Sequence, residues 1–125
     1  MLAHGFPNLL MVAGPQSVSG STNFPRAIEV GVDWVTDLLQ SARERGVTRL
    51  EADAAAEADW LGEVQRAHER MLFRRSKGWF TGYNSNVAGH EEGKVRYQAY
   101  FGGAPRYTTA INRAKADGYP AINVS

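Results

Sequence analysis

The chain has 125 residues, which is enough for one domain with a small core. Its 43% apolar and 22% charged residues are typical of a globular protein rather than a disordered one. The 14 basic and 13 acidic residues nearly cancel, so no nucleic-acid or anionic-membrane partner is predicted, because both select for a basic excess. The absence of cysteine excludes disulfides, thiolate nucleophiles and cysteine-bound zinc.

The sequence also lacks the patterns of membrane insertion and secretion. It has no run of about 18 apolar residues, so no membrane-spanning helix is predicted. Its beginning shows no charged stretch followed by an apolar one, so no signal peptide is predicted. We therefore expect a cytoplasmic location and no membrane partner.

The first predicted element is the apolar run Leu9–Ala13, which Gly14-Pro15 ends. A run this short is typical of a strand that is buried on both faces, with neighbouring strands beside it. Few other strands are predicted in the chain, so the rest of such a sheet would lie elsewhere.

A long helix is predicted after the Gly- and Ser-rich loop 14–24. Asn23 suits its N-cap, Pro25 its first turn and Gly46 the position just past its end. The residues at helical spacing that predict its apolar face are Ile28, Val32, Val35, Leu39 and Ala42.

The start of a second helix has two interpretations. Thr48 with Glu51 matches a capping box, whereas Asp53 is a rival N-cap that leaves residues 48–52 extended; we favour Asp53. The helix is predicted to run to about Phe73. Its apolar side would consist of Trp60, Leu61, Val64, His68, Met71 and Leu72.

The last third is predicted to contain a long loop at 76–94, a half-buried strand, a helix and a short final strand. Alternation in Val95–Phe101 places Val95, Tyr97, Ala99 and Phe101 on one side of the first strand. The helix begins at Pro105, carries Tyr107, Ile111 and Ala114 on its apolar side, and ends at Gly118. Residues 121–124 form the final strand.

The candidate chemistry from residue types alone is limited. A strand–loop–helix unit can bind an anion at the helix N-terminus, yet neither GxGxxG nor GxxxxGK[ST] is present, so a plain connection is the alternative. The acidic row of the first helix is interpreted as its solvated face. Neither a metal site nor a serine nucleophile is predicted, because the histidines and serines lack the required spacing.

The 76–94 loop is rich in aromatic residues. Trp79, Phe80 and Tyr83 lie close to the cation Lys77 and to side-chain amides. Such a loop either covers a nucleotide, by stacking and hydrogen bonding, or packs onto a larger parent fold. Both interpretations stay open on the residues alone.

Five stretches in the same order carry a resemblance that spans nearly the whole chain. They are Gly5–Ser17, Asn23–Leu39, Gly78–Asn84, Tyr100–Tyr107 and Gly118-Tyr119. Together they resemble the C-terminal portion of Baeyer–Villiger monooxygenases, which are class B flavoprotein monooxygenases. The resemblance implies an α/β fold: an incomplete C-terminal piece of an FAD/NAD(P)-binding fold with two dinucleotide domains, mostly helical with a few short strands.

The resemblance also implies a function and a division of the chain. The family uses FAD and NADPH to insert one oxygen atom of O₂ next to a ketone carbonyl, which gives an ester or lactone. Residues 1–47 would supply the last strand and a helix of the FAD domain. Residues 48–125 would form a C-terminal extension whose loop 76–94 covers NADP.

Site residues follow from the same resemblance. The segment Gly14, Pro15, Gln16 and Ser17 would pass close to the flavin, and Asn23 and Phe24 would face its isoalloxazine ring. Trp79 would fold over NADP. The residues that would line the substrate pocket are Val18, Ser19, Gly20 and Ser21.

Two departures from the family pattern concern the loops. The stretch after Gly82 is longer than usual, so either Asn84 or Asn86 takes the place of the family asparagine. The loop at Ser19–Ser21 is smaller and more polar than in many relatives.

A larger departure is that both glycine-rich motifs and the active-site arginine of the family would lie upstream. We therefore expect no catalytic residue in this chain, no turnover by the isolated chain, and a missing N-terminal portion as its partner. The alternative is a stand-alone module that docks onto another chain through its aromatic loop.

Overall fold

The computed structural model describes residues 1–18, 22–88 and 95–125. Three helices dominate it: α1 (Phe24–Glu44), α2 (Ala54–Glu69) and α3 (Ala104–Ala116). Two short 3₁₀ turns, Leu72–Arg75 and Trp79–Thr81, follow α2. The strands β1 (Leu50–Ala52) and β2 (Ile122–Val124) pair antiparallel, with Leu50 opposite Val124 and Ala52 opposite Ile122. None of these helices is long and apolar enough to cross a membrane.

Helix α1 begins and ends as predicted. The side chain of Asn23 accepts a hydrogen bond from the Arg26 N–H at 3.1 Å, and Pro25 lies in the first turn. Gly46 follows the last turn with a φ of +68°, a backbone conformation that favours glycine. The helix boundaries therefore follow from local capping chemistry.

The predicted apolar face of α1 is correct for Ala42, which is buried, and for Val35, which packs against the core, but wrong for Val32 and Leu39. Val32 and Leu39 are 45% and 47% exposed. Instead the helix buries a neighbouring face, made of Ala27, Gly31, Trp34, Leu38 and Ala42. Gly31 lets the segment with Val12 come close to α1, since a Cβ on Gly31 would lie only 3.2 Å from the Val12 side chain. The outer side of α1, with Val32 and Leu39, stays exposed.

Helix α2 begins at Asp53, so the capping-box interpretation is wrong. The Asp53 carboxylate accepts hydrogen bonds from the N–H groups of Ala55 and Ala56, both at 3.0 Å. The residues before it include β1, which agrees with the extended stretch expected there. The helix ends at Glu69 rather than near residue 73, and Leu72 is 91% exposed.

Helix α3 joins α1 through side chains from both helices. The Trp34 indole N–H donates to the carbonyl of Ile111 at 3.0 Å, and its ring meets Tyr119 edge-on with centroids 5.4 Å apart. Lys115 also forms an ion pair with Asp37. Gly103, with a φ of +88°, precedes α3, and Gly118, with a φ of +75°, follows it, as the sequence predicted.

The core consists of two adjoining clusters. One lies under α2 and contains Val18, Ala27, Val64, Ala67, Tyr100 and Tyr107. The other lies between α1 and the strand pair and contains Trp34, Leu38, Ala42, Leu50 and Tyr119.

Neither of the two longer predicted strands is present. Leu9–Ala13 forms an irregular segment in which Leu9 and Val12 are 44% and 39% exposed. Within residues 1–18, 22–88 and 95–125 no strand lies beside it, and a strand cannot persist without a neighbour. Residues 95–101 are also not a strand, and their burial differs from the prediction: Val95 is 54% exposed, whereas Tyr100 is only 1% exposed.

Candidate functional site

Residues Gly14–Ser17, predicted to pass close to a flavin, form a tight turn. The turn is held by the Ser17 N–H, which donates to the Gly14 carbonyl at 3.2 Å, and Gln16 has a φ of +63°. A Cβ on Gly14 would lie 2.8 Å from the Met11 Cβ, so only glycine fits there without a shift. The Ser17 side chain is buried, whereas Pro15 is exposed. We call these four residues the flavin-side turn.

Behind this turn lies a cavity of about 640 Å³. Its walls are mainly apolar and include Trp34, Trp60 and Tyr107. The Glu57 carboxylate at its edge accepts the His4 N–H at 2.8 Å. A second carboxylate, Glu63, forms ion pairs with two arginines. The cavity therefore offers mainly volume and apolar contact, and its carboxylates Glu57 and Glu63 are both engaged.

The pKa of Glu63 reflects competing effects. Burial raises it, but the neighbouring Arg66 and Arg106 guanidinium groups lower it more, so the pKa lies below its ordinary value. The distances from the carboxylate are 3.1 Å to Arg66 and 2.9 Å to Arg106. Glu63 consequently stays ionised and paired, which does not suit a proton donor.

The N-terminus of α1 is open at the surface. The Asn23 side chain caps the helix, and the exposed ring of Phe24 stands beside it with 52% of its surface accessible. An exposed phenylalanine at a helix N-terminus offers an apolar surface for a planar group or for another part of a protein.

Trp79 lies on a stiff turn. The Thr81 hydroxyl binds the carbonyls of Ser76 and Gly78, each at 3.0 Å. Gly82 has a φ of +75°, and a Cβ there would lie 2.6 Å from the Arg96 Cβ. Trp79 itself is 71% exposed. This turn, residues 78–82, is called the Trp79 turn below.

Residues 95–101, the central segment, connect the two turns by hydrogen bonds. On one side the N–H groups of Arg96 and Gln98 donate to the carbonyls of Thr81 and Phe80, at 2.9 and 3.1 Å. On the other side the Gln98 carbonyl accepts from the Gln16 N–H at 2.8 Å. The structure thus brings together the segment predicted to meet the flavin and the loop predicted to cover NADP.

His68 supports the central segment from α2. Its Nε2–H donates to the Ala99 carbonyl at 2.8 Å, and its ring lies against Tyr97 and Phe101, with centroids 4.3 and 4.8 Å away. Burial lowers the pKa of His68 below 6.5. Sequence reasoning placed His68 on an apolar helix side but missed this contact. No local signal reveals it, because its partner is a backbone carbonyl 31 residues away.

Several predicted site residues are placed differently or lie outside the described ranges. The Val18 side chain is 3% exposed and packs in the core, so its role in a substrate pocket stays a prediction. Ser19–Ser21 and the last part of the 76–94 loop, residues 89–94, are not among the described residues. The Asn84 side chain accepts the Asn86 N–H at 3.0 Å, which does not decide between these two asparagines.

Chemically, these surfaces suit the covering of a flat cofactor rather than its anchoring. Phe24 and Trp79 present exposed aromatic faces, which fit stacking on flavin or nicotinamide nucleotide rings. The sequence offers no glycine-rich dinucleotide loop for a pyrophosphate. Among residues 1–18, 22–88 and 95–125 there is also no cluster of three metal-binding side chains.

Comparison with curated proteins identifies relatives over almost the whole chain. The chain is 31% identical to a cyclopentanone 1,2-monooxygenase of Comamonas sp. over 121 residues, which cover 97% of this chain and 21% of that protein. It is 30% identical to a Baeyer–Villiger monooxygenase of Pseudooceanicola batsensis, covering 98% of this chain and 21% of the relative. An FAD-binding monooxygenase, VdtE of Byssochlamys spectabilis, is 32% identical and is covered to 19%. No family model matches the chain.

Solved structures agree in fold. A closed crystal structure of cyclohexanone monooxygenase is 31% identical with a TM-score of 0.85, over 99% of this chain and 22% of that one. An oxidized steroid monooxygenase bound to NADP is 28% identical with a TM-score of 0.82, over 98% and 21%. The chain therefore spans about a fifth of the length of its relatives, and the resemblance inferred from the sequence is confirmed over that fifth.

Proposed function

We propose that this chain, which is homologous to Baeyer–Villiger monooxygenases over about a fifth of their length, is the C-terminal part of an FAD- and NADPH-dependent enzyme of that kind. The whole enzyme would insert an oxygen atom from O₂ next to a ketone carbonyl and so form an ester or lactone. FAD, with NADPH as its reductant, would supply the activation of O₂. A cytoplasmic location belongs to the same proposal.

The observation that carries this proposal is that the Trp79 turn and the flavin-side turn are hydrogen-bonded to the same segment, residues 95–101. The residues that the resemblance assigns to flavin and to NADP lie on two separate turns, yet Gln98 binds both turns through its own backbone. In the proposed enzyme the exposed Trp79 ring covers the nicotinamide nucleotide, and the flavin-side turn with Phe24 borders the flavin. The part played by this chain is to orient the cofactors and exclude water from them.

The exposure of segment 9–13 supports the proposal that a large part of the enzyme lies outside this chain. Leu9 and Val12 are exposed, and among the described residues no hydrogen-bond partner is found for the amides of Leu10 and Val12. An apolar segment with open backbone groups is suited to pairing with another strand. We propose that residues 1–47 complete an FAD domain there and that residues 48–125 form the extension that reaches NADP.

The same segment disfavours a stand-alone module. A self-sufficient module would bury Leu9–Ala13, whereas Val12 is 39% exposed here, and the outer face of α1 with Val32 and Leu39 is exposed as well. We propose that the isolated chain is inactive, because its sequence has no glycine-rich loop for the FAD pyrophosphate and the active-site arginine of the family would lie upstream.

A chimaera tests the proposed function. The C-terminal fifth of the related cyclopentanone monooxygenase is replaced by this chain, and FAD content, NADPH consumption and lactone formation are measured. We expect a flavin-containing protein whose NADPH consumption depends on the ketone. The isolated chain, assayed with FAD and NADPH added, should consume no NADPH.

A Trp79→Ala variant of the chimaera sharpens this test. Loss of the covering ring should raise the KM for NADPH while FAD content stays constant, because this variant leaves the flavin-side turn intact. The matched control is Leu72→Ala, an exposed residue outside both turns. A flavin-loaded chimaera in which Trp79→Ala changes neither the KM for NADPH nor kcat contradicts the proposed role of this loop.

A further inference from the structure

We infer that the central segment is a positioning element which couples the Trp79 turn to the flavin-side turn. A displacement at one turn is transmitted through Gln98 to the other. Only the assignment of flavin to one turn and NADP to the other rests on the proposed function. The coupling is a property of the chain itself and is measurable without any cofactor.

The backbone of Gln98 carries the coupling. Its N–H donates to the Phe80 carbonyl at 3.1 Å, and its carbonyl accepts from the Gln16 N–H at 2.8 Å. The flanking bonds repeat this arrangement: Arg96 N–H to Thr81 at 2.9 Å, and Tyr100 N–H to Ser17 at 2.8 Å. The Gln98 N–H and carbonyl belong to two planar peptide units that meet at the Gln98 Cα, so a movement of the Trp79-turn carbonyls acts on the bonds that hold the flavin-side turn through this one residue.

A row of aromatic rings makes the central segment move as a unit. Phe80 meets Phe101 edge-on with centroids 5.4 Å apart, and Phe101 meets His68 at 4.8 Å. His68 also lies against Tyr97 at 4.3 Å and is fully buried. The segment is therefore held along its length by α2, and displacement of Phe80 acts on more than one hydrogen bond.

Little space exists at either end for the segment to absorb such a displacement. A Cβ on Gly82 would lie 2.6 Å from the Arg96 Cβ, and a Cβ on Gly102 would lie 2.0 Å from the Tyr100 hydroxyl. Tyr100 is 1% exposed. Close-packed groups transmit a shift to their neighbours rather than dissipate it.

Amide hydrogen exchange, read residue by residue by NMR in the 125-residue chain, tests the coupling. Phe80→Ala removes the ring contact with Phe101. We expect faster exchange not only at the Gln98 amide but also at the Gln16 and Tyr100 amides, by roughly fivefold or more. Phe80→Tyr keeps the ring and should restore protection. Trp79→Ala, an exposed neighbour, is the matched control and should leave the Gln16 amide unchanged.

The reverse perturbation uses the same readout. Gly14→Ala forces a clash with Met11 on the flavin-side turn and should accelerate exchange at the Gln98 amide, because coupling between two sites is reciprocal. Two outcomes overturn the inference. In one, Phe80→Ala accelerates exchange at Gln98 but not at Gln16 and Tyr100. In the other, all amides, including those of Leu38 in α1, accelerate equally, which indicates general destabilisation. Neither outcome affects the cofactor tests of the chimaera.

Discussion

The segments 9–13 and 95–101 share a predicted conformation and differ in their actual structures. Both were predicted as strands, and neither is one. The 95–101 segment nevertheless hydrogen-bonds to neighbours on two sides and buries Ala99 and Tyr100. The 9–13 segment is the more apolar of the two, yet Leu9 and Val12 remain exposed.

This difference shows what an apolar pattern determines. A pattern states that a segment would gain from burial, but burial requires a surface that receives it. Residues 95–101 find that surface within the chain, on α2 and the two turns. Residues 9–13 find it only in part, since Leu10 packs against the core but Leu9 and Val12 remain exposed, which agrees with a chain that spans about a fifth of its relatives.

The largest expected effect on the free energy of unfolding comes from truncating Tyr100, a buried side chain of segment 95–101. Tyr100 is 1% exposed and packs on Trp60 and Tyr107, with centroids 5.1 and 6.0 Å away. Tyr100→Ala should lower the free energy of unfolding by about 3–5 kcal/mol, measured by urea denaturation. Tyr100→Phe, which keeps the ring but loses the hydrogen bond to Glu63, should cost about 1 kcal/mol. Equal costs for the two variants would show that the ring is not the main contributor.

The next effect is a pH dependence at His68. Burial lowers its pKa below 6.5, so the unfolded chain binds a proton more readily than the folded one. The stabilisation is therefore complete above pH 6.5 and declines as the pH falls towards the folded-state pKa, by at most about 1.4 kcal/mol per pH unit. Urea denaturation at several pH values should show this slope. His68→Gln, which does not titrate but can donate to Ala99, should flatten it, and an unchanged slope would assign it to another group.

A smaller effect is expected at the start of the helix that supports the central segment. Asp53→Ala removes the acceptor of two amide hydrogen bonds and should cost about 1 kcal/mol of unfolding free energy. Asp53→Asn keeps an acceptor and is the matched control. Thermal denaturation of both variants decides: if Asp53→Asn is as unstable as Asp53→Ala, the carboxylate acts through its charge rather than as a cap.

The smallest effect on stability is expected in segment 9–13, where Leu9 and Val12 are exposed. Val12→Ser should change the unfolding free energy by under about 1 kcal/mol, because the side chain is 39% exposed. It should also reduce self-association, measured by analytical ultracentrifugation, since an apolar open segment favours pairing between chains. A loss of unfolding free energy similar to that of Tyr100→Ala would show that residues 9–13 belong to the core, as Tyr100 does.

Local chemistry made the start of α1 and α2 and the end of α1 predictable. Asn23, Asp53 and Gly46 act within a few residues of chain, so their capping roles follow from sequence spacing. The orientation of α1 was not predictable, because Trp34 is buried through a contact with Ile111 on α3, far along the chain, whereas Val32 remains exposed. The family was predictable from the order of five short stretches, since that order is a property of the sequence alone.

By itself the sequence determined where α1 and α2 begin and where α1 ends, the family that the chain resembles, and the absence of a glycine-rich dinucleotide loop. Only the tertiary structure decided that Gln98 joins the two turns, that His68 supports the segment between them and that Val18 packs in the core. The reason is physical. Caps and turns depend on neighbours in sequence. Every residue carries the same backbone carbonyl, so the sequence does not reveal which distant carbonyl accepts a given hydrogen bond.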